Sequence, residues 1–100
     1  MDNITTTELA KLLATRPIAL IDVREPEEFA AGHIAQAQLL PLGDLPSMVD
    51  SLSKNSALYV ICRSGRRSQI AVDFLNAQGF QAINVQGGML DWHGKVELSN

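Results

Sequence analysis

Two short apolar runs, at residues 18–23 and 57–61, predict strands that are buried on both faces of a sheet. Residues 80–85 predict a third strand. Strands of a parallel sheet are continuously apolar because both faces are covered, whereas strands with one solvated face alternate between apolar and polar residues. A fourth run, at residues 37–40, predicts a shorter strand.

Apolar residues at helical spacing fill the segments between these strands. Thr5 is the predicted N-cap of the first helix, Glu8 completes a capping box, and Pro17 ends that helix. A longer helix is predicted over residues 66–78, with Gly79 just after its end. Shorter helical segments are predicted at residues 25–32, within residues 41–52 and around Trp92.

This alternation predicts an α/β fold with a small, mainly parallel β-sheet flanked by helices on both faces. A chain of 100 residues forms one domain, here residues 1–100, because smaller pieces could not bury a core. A composition of 46% hydrophobic and 19% charged residues excludes a disordered or fibrous chain. No apolar run reaches the ~18 residues of a membrane span, and no secretory signal is visible. We therefore expect a cytoplasmic protein with no membrane partner.

Charge and cysteine content narrow the range of partners and cofactors. A formal net charge of −3 gives the chain as a whole no attraction to nucleic acid. Its one cysteine, Cys62, rules out an intramolecular disulfide, and a structural zinc site needs several cysteine or histidine ligands. We therefore expect no nucleic-acid partner, no metal and no other cofactor.

Cys62 directly follows a predicted strand, at the edge where parallel sheets bind their ligands. Gly65 relaxes the next turn so that N–H groups point inward, and the helix start at Arg66 adds unpaired donors and a partial positive charge. The segment also holds three of the chain's eight basic residues. Because these features lower a cysteine pKa, Cys62 is the predicted nucleophile for an anionic substrate. The predicted substrate-binding residues are Arg63, Ser64, Gly65, Arg66, Arg67 and Ser68.

Other interpretations of Cys62 stay open. A free cysteine is often only a buried packing residue. A cysteine-dependent phosphatase or arsenate reductase would use the same nucleophile, but tyrosine-type phosphatases have one residue more between cysteine and arginine. The shorter spacing from Cys62 to Arg67 suits a bound sulfur atom better than a phosphoryl group. Asp22 and Arg24 end another strand at the same edge, and they form either an ion pair that supports the loop or a plain surface pair.

The chain resembles the rhodanese-like sulfurtransferase family along nearly its whole length. Each of four motifs is weak alone, but together, in this order and at these separations, they are specific. The chain departs from the family pattern at Gln36, where family members often have glycine. This difference affects the expected geometry of a turn and not the chemistry. The motifs are Asp22-Val23-Arg24-Glu25, Phe29-Ala30-Ala31-Gly32-His33-Ile34, Cys62-Arg63-Ser64-Gly65-Arg66-Arg67 and Gly87-Gly88-Met89-Leu90-Asp91-Trp92.

The resemblance implies a single rhodanese-like domain that acts as a double-displacement sulfurtransferase. Cys62 would take a sulfane sulfur from an anionic donor such as thiosulfate and become a persulfide, whose charge the N–H groups of residues 63–68 would hold. Arg63 and Arg67 would chiefly hold the donor, with Arg66 as a further candidate.

The acceptor of the sulfur would be external, because the chain has no second cysteine. Cyanide would serve in an assay, and a small thiol, a thioredoxin-like protein or a partner enzyme in the cell. Rhodanese-like domains are also used as non-catalytic interaction or sulfur-carrier modules, which leaves that alternative open.

Overall fold

A computed structural model describes residues 3–99 of the chain, and a five-stranded sheet forms its centre. The strands are β1 (Asn3–Ile4), β2 (Ala19–Asp22), β3 (Gln38–Leu39), β4 (Ala57–Ile61) and β5 (Gln81–Val85). Their order in the sheet is β1-β5-β4-β2-β3, and every neighbouring pair is parallel. The predicted α/β fold is confirmed. β1 was not predicted, because a strand of two residues leaves no periodicity to recognise.

Four α-helices and three short 3₁₀ segments connect the strands within residues 3–99. The helices are α1 (Thr6–Thr15), α2 (Pro26–Ala30), α3 (Leu45–Met48) and α4 (Arg66–Ala77), and the 3₁₀ segments are Leu42–Asp44, Val49–Ser51 and Gly88–Asp91. The last of these replaces the helix predicted around Trp92, which is only its C-cap. No helix in the described part of the chain is long and apolar enough to cross a membrane.

The capping box predicted at the start of α1 is confirmed. The Thr5 side chain accepts a hydrogen bond from the backbone N–H of Glu8 at 3.1 Å, and the Thr5 N–H donates to the Glu8 carboxylate at 2.9 Å. Each bond satisfies an N–H group that helix geometry leaves without a partner. The cap therefore fixes where α1 begins and sets Leu9, which is fully buried, against the sheet.

Alternation along β4 divides the core into two clusters, one on each face of the sheet. Leu58 and Val60 belong, with Cys62, to the cluster that contains buried residues of α4. Tyr59 and Ile61 belong to the cluster that contains Leu9 of α1. Successive strand side chains point to opposite faces, so helices must cover both. The Cys62 side chain therefore lies in the layer of α4, next to the end of its own strand.

Three strands end together at the edge of the sheet that follows Cys62. Asp22 of β2 pairs with Ile61 of β4, and Val60 of β4 pairs with Asn84 of β5. The residues that follow these strands are therefore neighbours, although they are far apart in sequence. This edge holds the motifs that begin at Asp22, Cys62 and Gly87.

Candidate active site

The segment between Cys62 and α4 forms a tight loop at this edge of the sheet. Gly65 is the N-cap of α4 and has a φ of 98°, in the left-handed region that favours glycine. A Cβ at Gly65 would lie 3.2 Å from the backbone nitrogen of Gly87, which leaves little room for any side chain. The sequence therefore allows the chain to turn directly from β4 into α4, with its N–H groups facing Cys62.

Cys62 lies at the base of this loop and is 1% exposed. Its Sγ accepts hydrogen bonds from the N–H groups of Gly65 at 3.1 Å and Ser68 at 3.3 Å, and it lies 3.2 Å from the Ser68 hydroxyl. Burial raises the pKa of the thiol, but the hydrogen bonds that the ionised sulfur can receive from the Ser68 hydroxyl and from the N–H groups of Ser68, Gly65 and Ser64 outweigh it, so the pKa is lowered. The surroundings of the sulfur therefore favour the reactive thiolate.

The three arginines next to Cys62 have different surroundings. Arg63 and Arg66 are exposed. Arg67, which the sequence suggested as a donor-binding residue, forms a bidentate pair with Glu28 of α2, at 2.7 and 2.9 Å. Its guanidinium therefore links α4 to α2. The sequence gives no signal for this contact, because an acidic residue at the start of a helix, such as Glu28, is favourable there without any partner.

The pair with Arg67 shifts the ionisation of Glu28. Hydrogen bonding to the guanidinium outweighs the effect of burial, and together with a backbone hydrogen bond within α2 it lowers the Glu28 pKa from 4.5 to about 2. The same pair raises the pKa of Arg67. A carboxylate with a depressed folded pKa stabilises the fold above its unfolded pKa, and this stabilisation is lost as the pH falls through the folded value.

Replacing Glu28 with glutamine is expected to lower the free energy of unfolding by about 1 kcal/mol at neutral pH, because the pair is partly exposed. The difference from wild type should shrink as the pH falls from 4.5 to about 2, where protonation of Glu28 breaks the pair in the wild type as well. Urea denaturation at several pH values measures this difference. Glu27→Gln, an exposed site on the same helix, is the control and should show little change. A Glu28→Gln difference that is constant over this range would contradict the assignment.

Asp22 and Arg24 form a buried ion pair, so they are not the plain surface pair that was one of the two expectations. Arg24 Nη2 lies 2.8 Å from Asp22 Oδ2, and the two side chains are 8% and 0% exposed. Arg24 also donates to the carbonyl oxygen of Gly32 at 2.8 Å, just after α2. Arg24 thus connects the end of β2 to the residues that follow α2. Helix α2 in turn contacts α4 through the pair of Glu28 with Arg67.

The turn after α2 accommodates Gln36 without strain. Positive φ angles occur only at glycines within residues 3–99, so Gln36 has an ordinary backbone conformation. The turn is closed by a hydrogen bond from the N–H of Ala37 to the carbonyl oxygen of Ile34, at 2.9 Å.

His33, just before this turn, stacks on Phe29 with ring centroids 3.7 Å apart, and its Nδ1 lies 2.8 Å from the Phe29 carbonyl oxygen. His33 is therefore part of the packing around α2.

Residues 87–91, here called the closing turn, hold the cysteine loop from the side of β5. The N–H of Met89 donates to the carbonyl oxygen of Cys62, and the N–H of Leu90 donates to that of Arg63, both at 2.9 Å. Gly88 has a φ of 55°, and a Cβ there would overlap the Cys62 carbonyl oxygen. The paired glycines of the sequence thus allow this backbone to approach the loop closely.

Ser68 and Asn84 lie beneath the sulfur. Ser68, expected from the sequence to bind substrate, is 0% exposed and is the first buried residue of α4. Its hydroxyl donates to the side-chain oxygen of Asn84 on β5, which is 5% exposed. Sequence reasoning did not identify Asn84; the only signal was a polar residue inside an apolar run.

Comparisons with known proteins agree with this architecture. A family model described as "Rhodanese-like domain" matches residues 5–95. The chain is 43% identical over 90 residues to YtwF of Bacillus subtilis, which is named provisionally as a sulfurtransferase, and the match covers 90% of this chain and 87% of that protein. It is 41% identical over 88 residues to YrkF of the same organism, named provisionally as a sulfur carrier protein, with 87% of this chain but 48% of that protein covered.

A solved structure shows the same arrangement. The crystal structure of a rhodanese-like domain protein from Staphylococcus aureus superposes with a TM-score of 0.90 at 42% identity, and the match covers 100% of both chains. The family match extends over most of the chain and includes the cysteine loop and the closing turn. This chain therefore belongs to the rhodanese-like domain family, whose members among its relatives are named as sulfurtransferases and sulfur carriers.

Proposed function

We propose that this protein moves a sulfane sulfur from an anionic donor such as thiosulfate to an external nucleophile, with a persulfide on Cys62 as the intermediate. The observation that supports this most directly is the set of hydrogen bonds at Cys62 Sγ, from the N–H groups of Gly65 and Ser68. They stabilise negative charge on a sulfur that is otherwise buried.

The proposed reaction has two half-reactions at one sulfur atom. In the first, the Cys62 thiolate attacks the sulfane sulfur of thiosulfate; a new S–S bond forms, the S–S bond of thiosulfate breaks, and sulfite leaves with the bonding electron pair. In the second, an external nucleophile attacks the outer sulfur of the persulfide, and the Cys62 thiolate leaves. A thiolate of lowered pKa is also the better leaving group, so the same hydrogen bonds assist both steps.

An external acceptor follows from the number of thiols. Cys62 is the only cysteine of the chain, so no internal thiol can attack the persulfide. In an assay, cyanide or a small thiol would take the sulfur; in the cell, a thiol on another protein would serve.

Exposed arginines at the loop are the groups we assign to donor binding. Arg63 follows Cys62 directly and Arg66 begins α4, and both are exposed, whereas the guanidinium of Arg67 is bound to Glu28. Guanidinium groups offer several N–H donors to the oxygens of an anion.

Arg63→Ala and Arg66→Ala are each expected to raise the KM for thiosulfate roughly tenfold, because each removes a charged hydrogen-bond donor from the anion. The maximal rate should change little. Steady-state formation of thiocyanate from thiosulfate and cyanide measures both constants. Arg16→Ala is the matched control, since Arg16 is an exposed arginine that precedes β2 at the opposite edge of the sheet. Unchanged KM values in both loop variants would contradict this assignment.

Intact-protein mass spectrometry tests the proposed function. Incubation with thiosulfate should add the mass of one sulfur atom to the wild-type protein, and cyanide should remove it. A parallel incubation with an aryl phosphate should release no phosphate. Phosphate release without any gain of sulfur would instead support the phosphatase interpretation of the loop.

A sulfur-carrier role is the second candidate, because YrkF, at 41% identity, is named provisionally for that role. In that case the persulfide would form, but turnover with cyanide or dithiothreitol would be slow. The amount of persulfide formed after thiosulfate is added and the rate of thiocyanate formation are measured on the same sample. Full persulfide with slow thiocyanate formation supports a carrier, and full persulfide with fast thiocyanate formation supports an enzyme.

A further inference from the structure

A chain of buried side chains runs from β5 to the sulfur of the proposed nucleophile. Asn84, Ser68 and Cys62 are 5%, 0% and 1% exposed. The Ser68 Oγ bonds to Asn84 Oδ1 on one side and lies 3.2 Å from Cys62 Sγ on the other. The hydroxyl of Ser68 therefore lies between an amide oxygen and a sulfur.

The direction of these hydrogen bonds follows from counting hydrogens. Asn84 Nδ2 lies 3.2 Å from the Gly65 carbonyl oxygen, which only accepts, so the amide group of Asn84 must present its oxygen to Ser68. A serine hydroxyl has a single hydrogen, and here it is donated to Asn84 Oδ1. The Cys62 thiol must then be the donor in its own contact with Ser68 Oγ.

Ionisation of Cys62 makes this arrangement unfavourable. The thiolate has lost the hydrogen that it donated to Ser68, so Sγ and Ser68 Oγ become two acceptors 3.2 Å apart. The contact becomes attractive again only if the Ser68 hydrogen turns from Asn84 to the sulfur. A buried thiolate gains more from that hydrogen than a neutral amide oxygen does, since hydrogen bonds to charged groups are the stronger ones.

We infer that Asn84 is a positioning residue that competes with the Cys62 thiolate for the single hydrogen of Ser68. Asn84 holds the hydrogen while Cys62 is a thiol and releases it when Cys62 ionises. Ser68 thus stabilises the thiolate, and Asn84 weakens that stabilisation.

This competition has a consequence that rests on the proposed function. In a persulfide the negative charge lies on the outer sulfur, so the inner sulfur of Cys62 is a weak acceptor and Asn84 takes the hydrogen back. The hydroxyl then stabilises the thiolate both as nucleophile and as leaving group, but not the intermediate between them. Asn84 therefore shifts the balance between free thiolate and persulfide toward the persulfide.

The substitutions that test the competition leave every charge near Cys62 in place. β4 and β5 carry no charged residue. Ser68 and Asn84 are themselves uncharged, so a changed pH dependence in their variants reports the hydrogen bonds. Charged residues are carried by the cysteine loop, by α4, by α2, by the end of β2, by the 3₁₀ segment before α3 and by the closing turn. They are Arg63, Arg66, Arg67, Asp73, Glu27, Glu28, Asp22, Arg24, Asp44 and Asp91.

The experiment is the rate of alkylation of Cys62 by iodoacetamide as a function of pH, which requires no sulfur donor. Ser68→Ala should react about tenfold more slowly than wild type below the midpoint of the profile, because the thiolate loses a hydrogen bond. Asn84→Ala should react several-fold faster there, because Ser68 is then free to donate to the sulfur. At high pH all rates should converge, since every variant is ionised.

The double variant Ser68→Ala/Asn84→Ala separates competition from a structural role. If Asn84 acts only through the Ser68 hydroxyl, the double variant should have the same pH profile as Ser68→Ala alone. Ser68→Thr, which keeps a hydroxyl, should restore the wild-type profile. Asn76→Ala is the matched control, because this asparagine joins α4 to β5 through the backbone of Ala82 and should leave the profile unchanged.

Two results would overturn the inference. One is a profile for Asn84→Ala that moves in the same direction as that of Ser68→Ala, which would make Asn84 a simple support of the loop. The other is a change by the same factor at every pH, which would reflect access to the sulfur. Asn84→Leu, of similar size, provides the same comparison if Asn84→Ala does not fold. The alkylation rates can be measured even if the protein transfers no sulfur. Failure of the proposed function would therefore not decide this inference, and failure of the inference would not decide the function.

Discussion

Cys62→Ser is expected to lower thiosulfate-dependent turnover by more than about a thousandfold, the scale on which removal of a catalytic nucleophile acts. A serine hydroxyl is not ionised near neutral pH and cannot form a persulfide, so no other group of the site replaces the thiolate. The same variant should gain no mass on incubation with thiosulfate. Thiocyanate formation and intact mass measure the two effects.

The substitution should leave the fold unchanged, because serine is close to cysteine in size and the N–H groups of Gly65 and Ser68 remain available to its oxygen. Circular dichroism and the unfolding midpoint of the variant provide this control. If Cys62→Ser retained turnover or gained sulfur, the nucleophile would have to be sought elsewhere and the proposed mechanism would be wrong.

Arg24→Leu is expected to lower the free energy of unfolding by about 3–5 kcal/mol, because it leaves the carboxylate of Asp22 buried without a cationic partner. Asp22 is 0% exposed, and its nearest cation is the Arg24 guanidinium at 2.8 Å. Domains of this size are stable by only about 5–15 kcal/mol, so the variant is expected to be partly unfolded under mild conditions. Urea denaturation, with wild type measured in parallel, gives the difference.

A second substitution tests whether the loss arises from the unpaired charge. The double variant Asp22→Asn/Arg24→Leu should recover part of the stability, because an amide at Asp22 is far less costly to bury than a carboxylate. Arg16→Leu, at an exposed arginine, should change the free energy of unfolding by no more than about 0.5 kcal/mol. A double variant less stable than Arg24→Leu would show that the stability depends on Asp22 itself, through its bond to the backbone N–H of Arg24.

The sequence was sufficient to predict the sheet and the position of the cysteine loop, for identifiable physical reasons. Continuous apolar runs mark strands covered on both faces, and they placed β2 and β4 to within one residue at each end. The strand predicted at residues 80–85 agrees equally well with β5. The loop was predictable because Gly65 and the start of α4 are local to Cys62. Neighbouring residues in the chain specify both features.

Contacts between distant segments could not be predicted in this way. Arg67 and Glu28 are 39 positions apart, and each has an equally reasonable interpretation as an exposed charge on its own helix. The bond of Ser68 to Asn84 joins α4 to β5, and its direction depends on the Gly65 carbonyl oxygen. Composition and spacing describe which groups a segment carries, but the partner of each group is decided by how the segments pack.

The hydrogen bonds between the closing turn and the cysteine loop restrict where this loop could change its length. The carbonyl oxygens of Cys62 and Arg63 are fixed by Met89 and Leu90, and that of Gly65 is fixed by the first turn of α4. Ser64 is exposed and takes part in none of these three bonds, so an inserted residue there would disturb them least, although it would move the Ser64 N–H that helps to lower the Cys62 pKa. A longer cysteine loop, wide enough to surround a tetrahedral oxyanion, would therefore arise most easily by insertion at Ser64. The sheet, α4 and the closing turn would keep their positions.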